Sequence, residues 1–255
     1  MSILKRILYF TIFLISTLNI YTYAKNKTYN NINYYDLEND WWSNQNSEFK
    51  NMYELFLNKI SVKEDFISEN GCYVRFRDTN DKLIIGSSAV VWCGKTMGDE
   101  VDKYGFDVVG FGGIPDNKMK EWIHCINKKY EKIIYFSSIN TLDVCSYYNV
   151  DTLNDSMFEA IMTTIMEAAK DLLVNNGHLS YVKVKEIFYN ENENTKERVE
   201  FCKRYNKMAR ELNDIIDMVN IFKIDIKYPM NSDYSAGYVH YNNKIVWEDL
   251  FLNVE

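Results

Sequence analysis

Proline is nearly missing from this chain, at 2 of 255 residues, and glycine is sparse at 10. That scarcity excludes collagen-like and low-complexity architectures, which depend on these residues. The five cysteines, Cys72, Cys93, Cys125, Cys145 and Cys202, contain no C-x-x-C pair. No histidine stands at zinc-ligand spacing from them, so no structural metal is expected. They read as small buried hydrophobes, with an odd one left over in any pairing. Positive charge is in deficit, with 29 Lys and Arg against 36 Asp and Glu and a net charge of −7. An acidic chain lacks the basic surface that phosphate contacts need, so no nucleic-acid partner is expected. No internal repeat is visible, which excludes solenoids and propellers. What is present, 47% hydrophobic and 25% charged residues, is the balance of a globular chain long enough for one α/β domain with a substantial core.

The first 24 residues read differently from the rest. Lys5 and Arg6 form a basic start, and the 18 residues from Ile7 to Ala24 are predominantly apolar. Thr22 and Ala24 place small residues at −3 and −1 of a cut after Ala24, the layout of a secretory signal peptide. The same run is just long enough to span a bilayer, so a membrane anchor is the other reading. Either one places the domain outside the cytoplasm, at the cell surface or beyond it. Loss of Lys5 and Arg6 takes the formal charge from −7 to −9. Residues 25–70 read as a linker or strap with one helix, Phe49 to Ile60, and residues 71–255 as the domain proper. Trp41 and Trp42 in the strap suit packing against the domain, with glycan stacking as the alternative.

Five short apolar runs punctuate the domain: Leu83–Ile85, Phe106–Val109, Ile133–Phe136, Leu179–Val184 and Ile221–Ile226. Short apolar runs ended by Gly or polar turns are the pattern of strands buried on both faces of a parallel sheet. Cys72–Phe76 alternates like one further short strand. Helical spacing lies between the runs, over Asn117–Tyr130, Ser156–Leu173 and Thr195–Met218, with N-cap candidates at Asn154–Ser156. Alternating strands and helices predict a doubly wound sheet. The expected fold is a flavodoxin-like, three-layer α/β/α domain with a five-stranded, mostly parallel sheet.

In such sheets ligands bind beyond the carboxyl ends of the strands. The residues there are Gly86-Ser87-Ser88, Gly110-Phe111-Gly112-Gly113, Ser137-Ser138-Ile139-Asn140, and a last loop with Asp233, Ser235 and His240. A hydroxyl, flexible backbone donors, an amide and an imidazole are the parts acyl transfer requires. The chain has 3 histidines. His124 falls inside a helix and His178 at the amino edge of a strand, which leaves His240 as the base of any Ser–His couple. The glycines at 110–113 are not followed by Lys-Ser/Thr and are not spaced as G-x-G-x-x-G, so a nucleotide cradle is a weak reading. Cys93 and Cys145 lie near these blocks but not at strand ends, which favours packing over a nucleophilic role.

Taken together, the four blocks resemble the SGNH/GDSL hydrolase superfamily over residues 82–255 and, within it, the exported Gly-Asp-Ser-Arg-type members of clostridia. Leu83-Ile84-Ile85-Gly86-Ser87-Ser88 looks like the first block and implies Ser88 as the nucleophile, with Ser87 as the less favoured choice. Gly110-Phe111-Gly112-Gly113 is similar to the second block and implies the Gly113 N–H as an oxyanion donor. Ser138-Ile139-Asn140-Thr141 looks like the third block and implies the Asn140 amide as another. Gly237-Tyr238-Val239-His240-Tyr241 resembles the fifth block and implies His240 as the base. Three family carboxylates are replaced, by Ser87, Thr141 and Gly237. The last replacement removes the acid that would orient the imidazole, which leaves Asp233 or a backbone carbonyl for that task. The resemblance implies a serine esterase that needs no metal or organic cofactor and acts on an ester, an O-acetyl group of a cell-wall or extracellular glycan being the expected substrate. Two alternatives stay open. One is a non-catalytic glycan- or partner-binding module with a degenerate site, and the other is a glycan O-acyltransferase.

Overall fold

The computed structural model describes residues 33–68, 71–136, 139–219, 221–229, 235–236 and 240–253. Its main sheet is built from β1 (Phe66–Ile67), β2 (Cys72–Arg75), β3 (Lys82–Gly86), β4 (Phe106–Phe111), β5 (Tyr130–Phe136), β6 (Leu173–Val182) and β7 (Phe222–Ile224). The spatial order is β1-β2-β4-β3-β5-β6-β7. The five strands from β3 to β7 run parallel. Numbered by appearance, they stand in the order 2-1-3-4-5, the flavodoxin-like arrangement with its switch point between the first and third. The sheet is wider than the five strands expected. β2 adds antiparallel to β4, and β1 adds antiparallel to β2. A separate two-stranded ribbon pairs β8 (Ser235–Ala236) with β9 (His240–Tyr241).

The sequence explains the layers. All of β4 is buried, as are four of the five residues of β3. Such strands must be covered on both faces. Alternation along β4 sends Phe106 and Gly110 one way and Phe111 the other. Phe106 stacks on Phe251 of helix α8 (Lys244–Leu252), with ring centroids 4.6 Å apart. Gly110 is crossed by Val90 and Val91 of α3 (Ser88–Met97). On the opposite face Phe111 meets Tyr53 and Phe56 of α2 (Ser47–Ser61) at 5.5 and 5.0 Å. That face also carries α4 (Asp116–Cys125), whose Trp122 packs 5.0 Å from Phe56. Next to these lie α1 (Tyr34–Ser43), α5 (Ile139–Tyr147), α6 (Asp155–Leu172) and α7 (Lys196–Met218).

Side-chain caps set several helix starts. Asn46 Oδ1 accepts from Phe49 N–H at 2.8 Å and Asn154 Oδ1 from Met157 N–H at 2.9 Å, satisfying donors that a helix leaves open in its first turn. Three boundaries differ from the periodicity. Tyr34–Ser43, inside the segment read as a linker, is helical and sends Tyr34 into the core. The helix begun near Asn117 stops at Cys125; Ile126 continues the apolar stripe but is extended, and Tyr130 already belongs to β5. β6 begins at Leu173, six residues before burial begins at Leu179, so its exposed first half carries no apolar signature. Among the described residues no helix is long and apolar enough to cross a membrane, and residues 1–24 lie outside them.

Candidate active site

The site assembles where β3 lies between β4 and β5. The close approach of β3 and β5 requires glycine at position 86, because a Cβ there would sit 2.1 Å from the Phe136 carbonyl oxygen. The chain then turns through Ser87 directly into α3, which begins at Ser88. Ser87 is buried, and its Oγ is enclosed without a hydrogen-bond partner. Ser88 is half-exposed on the first helical turn, where the aligned peptide dipoles favour negative charge. Of the two serines, only Ser88 is open to a substrate.

The second block comes to it from β4. A Cβ built at Gly112 would lie 3.5 Å from Ser88 Cβ, so the first two blocks touch. Gly113 has φ +80°, a left-handed conformation that glycine adopts freely, and its N–H has no hydrogen-bond partner among the described residues. The third block joins through Asn140, a buried side chain whose Nδ2 donates to the Ile114 carbonyl at 3.1 Å. One of the two amide hydrogens thus ties the blocks together. Gly113 and Asn140 line the same cavity, of about 710 Å³.

His240 arrives on β9 and stacks on the indole of Trp92, centroids 5.5 Å apart. Trp92 is one helical turn beyond Ser88, so His240 reaches the face of α3 that carries the serine. Its Nε2 is buried and makes no hydrogen bond among the described residues, Ser88 included. Burial lowers the imidazole pKa to about 4, which keeps the ring neutral near pH 7. Asp233 and Gly237 lie outside the described residues.

The other histidines are structural. His124 Nδ1 and Nε2 stand 3.3 and 3.5 Å from Asp171 and Glu167 on α6. His178 lies within β6 and meets Phe222 edge-on. All five cysteines are free thiols; Cys93 and Cys145 are fully buried, and burial pushes both thiols up, away from the reactive thiolate.

Several neighbours were not legible as site residues. Thr141, standing where the family pattern has an acid, donates to Asp116 Oδ2 at 2.5 Å and accepts from the Asp116 N–H at 3.0 Å. Tyr135 OH donates to the other carboxylate oxygen at 3.3 Å. The pair fastens the start of α4 to the start of α5, and with it the loop carrying Gly113. Pro115-Asp116, a helix-start dipeptide directly after the glycine block, was the available signal. Asp143, one turn beyond Asn140, lines the cavity, and burial lifts its carboxyl to about 7 against the pull of Arg198. Among the described residues no cluster of His, Cys, Asp and Glu could hold a metal.

The strand order and the serine, glycine and amide loops at its switch point define a doubly wound α/β domain of flavodoxin-like order. No family model matches the chain, and no curated protein matches it in sequence. Solved structures it is similar to include a GDSL-like lipase from Bacteroides thetaiotaomicron, 14% identical over 67% of this chain and 83% of that one, with a TM-score of 0.43. An acetyl xylan esterase is 16% identical, over 68% of this chain and 100% of that one, with a TM-score of 0.41.

Proposed function

We propose that this protein is a serine esterase acting on an ester of an extracellular or cell-wall glycan, with an O-acetyl group as the acyl part. The observation that supports the reading is the approach of Gly112 to Ser88, on the first turn of α3, with the next residue, Gly113, having an N–H without a partner among the described residues and lining one cavity with the Asn140 amide. Ser88 Oγ attacks the ester carbonyl. The N–H groups of Ser88 and Gly113 and the second Asn140 amide hydrogen stabilise the oxyanion. His240 takes the serine proton and passes it to the leaving alcohol; its neutral ring can accept that proton. A shift of β9 toward Ser88 closes the hydrogen bond, as catalytic bonds often tighten only with substrate bound. Residues 1–24 export the domain or anchor it at the membrane.

One observation favours a second reading. His240 Nε2 is buried without a partner among the described residues, as in a site that binds glycan without turning it over. Labelling of the purified protein with a fluorophosphonate probe separates the two. Labelling that is lost in both Ser88→Ala and His240→Ala is the esterase outcome. A folded wild type that takes no label is the outcome for the binding module.

A further inference from the structure

The cavity that holds Gly113 and Asn140 extends far beyond them. Its walls come from three elements remote in sequence. Trp41, Asn44, Gln45 and Phe49 belong to α1, α2 and the turn between them; Asp143 and Tyr147 belong to α5, and Tyr148 follows it; Arg198 and Phe201 belong to α7. Phe49 stands edge-on to Trp41, with centroids 6.1 Å apart, and Arg198 lies 5.0 Å over the Phe201 ring. Tyr147 is largely exposed at the rim. Aromatic rings thus stand on three sides, with two amides, a carboxyl and a guanidinium between them.

That mixture selects its ligand. A fatty acyl chain would take the Asp143 carboxyl and the Arg198 guanidinium out of water and cover them with hydrocarbon, which is costly. An anionic ligand would meet the Asp143 carboxyl beside Arg198, and the ionised form of that carboxyl repels it. A neutral sugar satisfies both kinds of wall: its C–H faces lie on aromatic rings, and its hydroxyls bond to amide, carboxyl and guanidinium groups. The volume, about 710 Å³, is in the range of small-molecule sites.

We propose that the helical pair α1–α2 and the ends of α5 and α7 form a subsite for a neutral glycosyl unit, the alcohol side of the ester. Which side of the ester the sugar occupies rests on the esterase reading; the sugar subsite itself does not. The wall is fixed rather than mobile. Tyr34, Tyr53, Phe56 and Ile60 anchor the pair in the core, and Tyr53 OH donates to the Lys118 carbonyl at 3.0 Å.

The test has two arms. In the first, the full-length Ser88→Ala protein is titrated calorimetrically with chitotetraose, cellotetraose and xylotetraose, and the titration is repeated with Trp41→Ala and Arg198→Met added singly. Trp41→Phe, which keeps a ring, guards against misfolding. Saturable binding of at least one oligosaccharide is expected, weakened about tenfold or more by Trp41→Ala and less by Trp41→Phe. No binding at millimolar sugar, or binding indifferent to both positions, overturns the subsite. In the second, kcat/KM is compared on O-acetylated chitotetraose and p-nitrophenyl acetate. Trp41→Ala is expected to lower the ratio of the two about tenfold or more, through KM. An unchanged ratio in an active enzyme also overturns the subsite. Binding intact with neither ester turned over and no fluorophosphonate label upholds the subsite and removes the esterase.

Discussion

His240 is held between Trp92 and the protein interior, and no carboxylate among the described residues faces it. Desolvation alone sets its pKa, and it acts against the charged form. A base must be neutral to accept a proton, so the acid limb of kcat/KM is expected near pH 4 rather than near the usual histidine value of about 6.5. A pH–rate profile on p-nitrophenyl acetate reads this directly. A limb at pH 6 to 7 would mean that an acid pairs with the imidazole in the working enzyme, with Asp233 the first to mutate. Gly86 makes a second prediction at this scale. A methyl group at position 86 collides with backbone, which cannot move aside as a flexible side chain would. Gly86→Ala is expected to cost about 3 kcal/mol or more, checked by denaturant unfolding. The positions of Ser88, Gly113 and Asn140 at strand ends were legible because each follows a short apolar run, and the fold brings those run ends to one switch point. The pairing of Thr141 with Asp116 was not legible, since it joins residues 25 apart through a contact no periodicity encodes.

Among the elements, α1 carries the most unusual feature of the interior. Glu38 is buried, and neither of its carboxylate oxygens has a hydrogen-bond partner at full geometry among the described residues. Burial raises its pKa to about 7; Lys118 and Asn117 lower it, Asp116 raises it, and Tyr34 lowers it slightly. The folded state therefore favours the protonated acid. Its contribution is present at pH 4 and is lost as the pH rises through about 7, a difference of roughly 3 kcal/mol at most. Glu38→Gln is expected to leave stability at pH 5 nearly unchanged and to raise it at pH 8, as read from urea midpoints. A variant weaker at both pH values would mean that the carboxylate is held ionised. The elements most easily read from sequence were β3, β4 and β5, whose burial on both faces writes continuous apolar runs. Helix α3 escaped because α8 covers its outer side. With Ala89, Val90, Val91, Cys93 and Met97 all buried, its outward stripe is left to Ser88, Lys95 and Thr96 and is interrupted by the apolar Trp92, so no period stands out in the sequence.

At the scale of the whole molecule, the helical pair α1–α2 belongs to the same cooperative unit as the sheet. Tyr53 and Phe56 share a continuous aromatic cluster with Phe111 and Trp122, and the Trp122 indole N–H donates to Tyr53 OH at 3.0 Å. Tryptophan fluorescence and far-UV circular dichroism are expected to report one coincident unfolding transition. Two separated transitions would make the pair an independent appendage. The outer margins of the sheet have a further consequence. β1 is 2 residues long and β7 is 3. Unpaired strand margins are templates on which other chains add, and margins this short offer almost no backbone to copy. The widening of the sheet by β2 and β1 therefore does more than enlarge it. It replaces the long apolar margin that β4 would otherwise present with a stub, and so guards a chain rich in buried β-sequence against fibril growth and edge-to-edge clumping at high concentration.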